Sequence, residues 1–107
     1  NAQGAQSNLK TIASRFKSEK PKLICAIATP AAQAVANEIK DIPIVGTAIT
    51  DYTTAKLVKN DEKPGGNVTG VSDLASIDAQ MDLGRALVPN AKTVGLIYSS
   101  SEVNSEV

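Results

Sequence analysis

The sequence predicts an α/β domain built on a parallel sheet with flanking helices, and three observations carry that expectation. Leu23 to Ala28 (LICAIA) is an unbroken apolar run, not an alternating one, the pattern of a strand covered by helices on both faces. Thr29-Pro30 follows at once, and threonine suits a helix N-cap while proline suits the first turn, so a helix should start at the carboxyl end of that strand. Pro43 then opens a second apolar run, from Ile44 to Ile49. Strand, helix and strand make a βαβ crossover, and in open α/β sheets ligands bind at the carboxyl ends of the strands.

Taken in order, Asn1 to Gln6 is polar and reads as a loop, with Ser7 as N-cap of a first helix from about Asn8 to Ser18. Leu9, Ile12, Ala13 and Phe16 form its apolar stripe, which leaves Lys10, Arg15 and Lys17 on the solvated side. The second helix runs from Pro30 to about Ile39. Asp51 to Lys63 carries few apolar residues and reads as one helical turn followed by a loop. Pro64-Gly65-Gly66-Asn67 is a turn cluster leading into a short strand, Val68 to Val71. Its glycines lack both the Lys-Ser/Thr pair and the G-x-G-x-x-G spacing of phosphate loops. A further amphipathic helix is predicted over Ile77 to Leu87, with Asp73 as a candidate cap, and Val94 to Tyr98 (VGLIY) reads as a fourth strand. Glu102 and Asn104 open what reads as the start of another helix, so the pattern looks cut from a longer protein at both ends.

Composition removes several function classes. The chain has 107 residues, 11 basic and 11 acidic, and a formal net charge of zero, with no basic run to suit nucleic acid. No stretch reaches the roughly 20 apolar residues of a membrane span. Histidine is absent and Cys25 is the single cysteine, which excludes within these residues the usual zinc sites, the Ser-His-Asp triad and the Cys-His pair. Cys25, in mid-strand, reads as a small buried hydrophobe. No two carboxylates share a motif suited to acid–base work. The residues therefore point to binding rather than catalysis, with no metal and no cofactor expected.

Four ordered stretches, AIATPAAQAVAN, DIPIVGTAITD, KPGGNVTGVSD and VPNAKTVGLIYSSSEVNS, together with the opening NAQGAQSNLKTIA, resemble the substrate-binding proteins of ABC importers of the tryptophan/aromatic amino-acid type. The resemblance covers essentially the whole chain. It implies the periplasmic-binding-protein type I fold, in which two Rossmann-like lobes joined by a hinge trap a small molecule between them. Residues 1–72 would then be the later part of the first lobe, Val71 and Asp73 the hinge crossing, and residues 73–107 the hinge exit and start of the second lobe. Gly46 and Tyr52 depart from the family's usual pattern, which often has a bulky residue and a proline at these positions. The implied function is capture of a zwitterionic ligand, an amino acid and, on the family's pattern, an aromatic one, for ABC transporter membrane subunits. Its place would be extracytoplasmic, periplasmic or lipid-anchored, with the signal peptide outside this chain. The same fold also serves ligand-sensing domains of regulators and receptors, the alternative reading.

Within that frame the first lobe offers Thr29, Pro30, Ala31 and Ala32 at a helix N-terminus, where free backbone N–H groups suit a ligand carboxylate. Thr47 and Asp51 leave the next strand at the same edge, and Asp51 could meet a ligand ammonium. Tyr98, Ser100, Glu102 and Asn104 would face them from the second lobe.

Overall fold

A computed structural model describes residues 1–107. Three parallel strands, β1 (Ile24–Ile27), β2 (Ile44–Ile49) and β3 (Val68–Ser72), lie side by side in that order. Helix α1 (Gln6–Glu19) precedes β1, α2 (Thr29–Glu38) joins β1 to β2, and α3 (Ile77–Leu87) follows β3. The register sets Ile24 beside Ile44, Ile44 beside Val68, and Gly46 directly across from Gly70. Beyond that point the β2–β3 ladder shifts and resumes at Ile49 opposite Ser72.

The core lies on one face of the sheet. Ile24 and Ala26 of β1, Ile44 and Ile49 of β2 and Val68 of β3 pack against Ala32, Val35, Ala36 and Ile39, with Ala13 and Phe16 of α1 adding a further layer. Small alanines on α1 and α2 allow close approach, and Lys17 Nζ lies 3.8 Å from a Glu38 carboxylate oxygen across the two helices. Lys17 thus does more than face solvent, while Arg15 pairs with Glu19 on the exposed side. The loop after α2 is held by Asn67, whose amide donates to the carbonyls of Ile39 and Ile42 at 3.0 and 2.7 Å.

The other face of the sheet is open, which corrects the expectation drawn from the apolar run. β1 alternates buried and exposed residues, so Leu23 and Ile27 reach solvent and Cys25 is an exposed thiol rather than a core residue. The residues themselves suit a strand covered twice, but α1 and α2 can cover only one side. Val94–Tyr98 likewise forms no strand: a strand exists through its ladder, and here nothing pairs with it, so Leu96, Ile97 and Tyr98 are exposed. α3 forms where predicted, yet none of its residues is buried.

The cap assignments also change. α1 starts at Gln6 with Ala5 as N-cap, and Ser7 sits inside the helix, where its carbonyl accepts from the Thr11 hydroxyl. The cap of α3 is Ser76, whose hydroxyl accepts from the Ala79 N–H at 3.3 Å, not Asp73. Residues 51–58 make a single i→i+4 turn, Ala55 N–H to Asp51 carbonyl, and no helix. Val103–Ser105 closes the chain as one 3-10 turn.

Candidate functional site

The carboxyl edge of the sheet is shaped by two alanines in the left-handed half of backbone space. Ala28, between β1 and α2, has φ 74° and ψ 151°, and Ala48, near the end of β2, has φ 53°. Such conformations cost of order 1–3 kcal/mol each and concentrate at functional sites. Ala28 is fixed by two bonds, its N–H to the Thr47 carbonyl at 3.0 Å and its carbonyl from the Ala32 N–H at 3.1 Å. It turns the chain from strand to helix with no intervening loop, which brings the α2 N-terminus to the strand ends.

That geometry revises the role of Thr29. Ala28 is the N-cap, Thr29 is already the first helical residue, and its hydroxyl makes no cap bond although the residue is 3% exposed. The Ala32 N–H, expected to be free for a ligand, is taken by Ala28. Pro30 has no N–H, so the groups left at the helix start are the N–H groups of Thr29 and Ala31. Thr47, half-buried, sits on β2 beside Ile27.

Asp51 is half-buried and one carboxylate oxygen already accepts from the Thr54 N–H at 2.7 Å, so it shapes its own turn and keeps a second oxygen without a protein partner. With Thr50, Tyr52, Thr69, Ser72 and Leu74 it lines a shallow groove of about 230 Å³ beside the strand ends. The groove does not include Thr29 or Thr47. Tyr98 and Ser100 are exposed on the far segment, and Glu102 and Asn104 are half-buried beside their own turn. Residues 71–101 are exposed throughout, so the chain brings Thr29, Thr47 and Asp51 to one sheet edge and does not bring the second group onto them. Nothing within these residues closes over that edge.

Ser72 and Gln33 matter here although sequence reasoning did not single them out, and Tyr52, noted there only as a departure from the family's pattern, has a structural role. Tyr52 is 7% exposed and its hydroxyl donates to the Val71 carbonyl at 3.1 Å. Burial raises its pKa, the bond to Val71 opposes that, and the Asp73 charge adds to the rise. Ser72 donates its hydroxyl to the Thr50 carbonyl at 2.6 Å, and the Asp73 N–H donates to Ile49 at 3.0 Å, so the chain leaving β3 is tied to the end of β2. Gln33 of α2 donates to the Ala55 carbonyl at 3.0 Å and holds the 51–58 turn. Tyr52, one of the chain's two tyrosines, stands just beyond the second apolar run, and that placement was the available signal. Gly46 and Tyr52, the two departures noted in the sequence, touch each other: a Cβ at Gly46 would lie 2.6 Å from the Tyr52 hydroxyl.

Comparison with known proteins places this geometry. The family model described as ABC transporter substrate binding protein matches residues 1–107. A tyrosine-binding protein of Clostridioides difficile is 54% identical over 107 residues, which is all of this chain and 31% of that protein. Among solved structures, an ABC domain in complex with L-Trp from Streptococcus pneumonia superposes with a TM-score of 0.92 at 50% identity, covering 96% of this chain and 35% of that one. The ligand-free, open structure of a Clostridium difficile substrate-binding protein with adhesive properties gives 0.75 at 51% identity, covering 99% of this chain and 36% of that one. The chain thus spans about a third of the length of these relatives.

Proposed function

This chain belongs to the ABC transporter substrate-binding protein family, and from that membership we propose that the protein it forms part of captures an aromatic amino acid for an importer and does not alter it. The observation that carries the reading is the pair of relatives at 54% and 50% identity, one a tyrosine-binding protein and one a complex with L-Trp. The carboxyl edge supports it: the N–H groups of Thr29 and Ala31, at the positive end of α2, suit a carboxylate, and the unpaired oxygen of Asp51 suits an ammonium.

In this proposal residues 1–72 belong to the first lobe and residues 73–107 to the hinge exit and the start of the second. Val71 and Asp73 form the crossing, and the ligand lies between the lobes. Pro30, Ala32 and Thr47 shape the first wall, while Tyr98, Ser100, Glu102 and Asn104 contribute the second once their strand is paired in the longer protein. The partners are an amino acid and the membrane subunits of an ABC transporter, and the place of action is extracytoplasmic.

The test is isothermal calorimetry on the full-length protein with L-tyrosine, L-tryptophan and L-alanine, followed by mass spectrometry of the recovered ligand. The aromatic amino acids should bind, be recovered unchanged, and raise the melting temperature by mass action. Failure of both aromatics to bind, or their chemical conversion, would refute the reading.

A further inference from the structure

Between β2 and β3 the ladder runs regularly as far as the Gly46–Gly70 pair and then slips, the four residues 46–49 of β2 running beside only three, 70–72, of β3. The slip falls where the chain is about to leave the sheet. At that place the Val71 carbonyl is held by the Tyr52 side chain, which comes from the turn beyond β2. The facing glycines make the room. A Cβ on Gly46 would meet the Tyr52 hydroxyl at 2.6 Å and Ile49 Cδ1 at 2.5 Å, and one on Gly70 would collide with both the hydroxyl and the Gly46 carbonyl. Two bare positions opposite each other thus form a slot in the sheet, and one hydroxyl fills it.

The next residues are held to the same piece of β2: Ser72 to Thr50, Asp73 to Ile49, and the Leu74 N–H back to the Ser72 hydroxyl at 3.1 Å. Residues 74–101 are exposed throughout, so Val71 to Asp73 is where the direction of the chain is decided. We propose that Tyr52, seated in the Gly46–Gly70 slot and donating to Val71, is a positioning residue that fixes the angle at which the chain leaves the first lobe, and through it the relation between the two lobes. The proposal rests on the two-lobed reading above.

The test compares the full-length parent with Tyr52→Phe, which keeps the ring and removes the donor. One neutral hydrogen bond corresponds to roughly a threefold to tenfold effect. Amide exchange at Asp73 and Leu74 should accelerate by about that factor, and dissociation of L-tryptophan or L-tyrosine should quicken similarly, with association changed by less than about twofold. Small-angle scattering of the ligand-free variant should show a broadened lobe separation while its melting temperature stays within a few degrees. Gly46→Ala, which expels the hydroxyl from its slot, should reproduce the exchange pattern, and combining it with Tyr52→Phe should add little. If exchange at Asp73 and Leu74 and the scattering profile of Tyr52→Phe match the parent, the proposal is wrong. Should neither amino acid bind even the parent, the functional reading falls while exchange and scattering still decide the role of Tyr52.

Discussion

At the scale of single residues, Ala28 and Thr29 exchange the roles their types suggest. Threonine is the better cap, yet alanine takes the position, because the strand must turn into α2 with no spare residue and its carbonyl is needed by the Ala32 N–H. Thr29→Val should therefore leave the ligand-free melting temperature nearly unchanged, since no cap bond is lost. If its hydroxyl bonds the ligand carboxylate, affinity should fall tenfold to a hundredfold, as calorimetry on the full-length protein would read. Ala28→Gly relieves a backbone conformation that costs alanine more than glycine, and chemical denaturation should find it more stable by about 1 kcal/mol. Tyr52 gives a pH prediction. Burial lifts its pKa above the usual value of about 10, so its contribution is complete below that value and is lost as pH rises through the raised one. Stability of the parent should drop at alkaline pH by more than that of Tyr52→Phe, a difference that pH-resolved unfolding would detect.

At the scale of elements, the sheet is held from one side by α2 with α1 stacked on it, and the fully buried Ile39, Ile44 and Ile49 mark where that packing is tightest. Ile44 pairs with both neighbours, so Ile44→Ala should cost about 2–5 kcal/mol in urea unfolding, against a few tenths for Lys10→Ala on the solvated side of α1. The Arg15–Glu19 pair is exposed and contributes little. Asn67 matters more than its loop position suggests, since one amide satisfies the two carbonyls where α2 gives way to β2.

At the scale of the whole molecule, the sheet has one dry face and one apolar face open to solvent, and the chain extends over 56 × 31 × 17 Å because residues beyond Leu74 lie away from the sheet. Parallel sheets are stable when both faces are covered. Sedimentation of the 107 residues alone should accordingly show self-association through the face that carries Leu23, Cys25 and Ile27. Cys25 reports on the same face: a thiol reagent should label it rapidly in the 107-residue chain and at least tenfold more slowly in a protein of the relatives' length. Equal labelling would mean that the face stays open.

What the sequence determined by itself is what local chemistry decides. β2 and α3 lie at their predicted ends, β1, α1, α2 and β3 within two residues of theirs, and the edge that gathers Thr29, Thr47 and Asp51 follows from Thr29-Pro30 standing directly after an apolar run. Periodicity and turn chemistry act over a few residues, and they survive whether or not the rest of the protein is present. Only the tertiary structure decided which face of β1 is covered, why Val94–Tyr98 stays unpaired, and how Tyr52 comes to sit between Gly46 and Gly70. Each of these depends on a partner distant in sequence, and for the apolar run at 23–28 and the VGLIY segment that partner is absent from these residues. A strand's hydrophobicity states what it would bury; only a neighbour with a surface to offer settles whether it does.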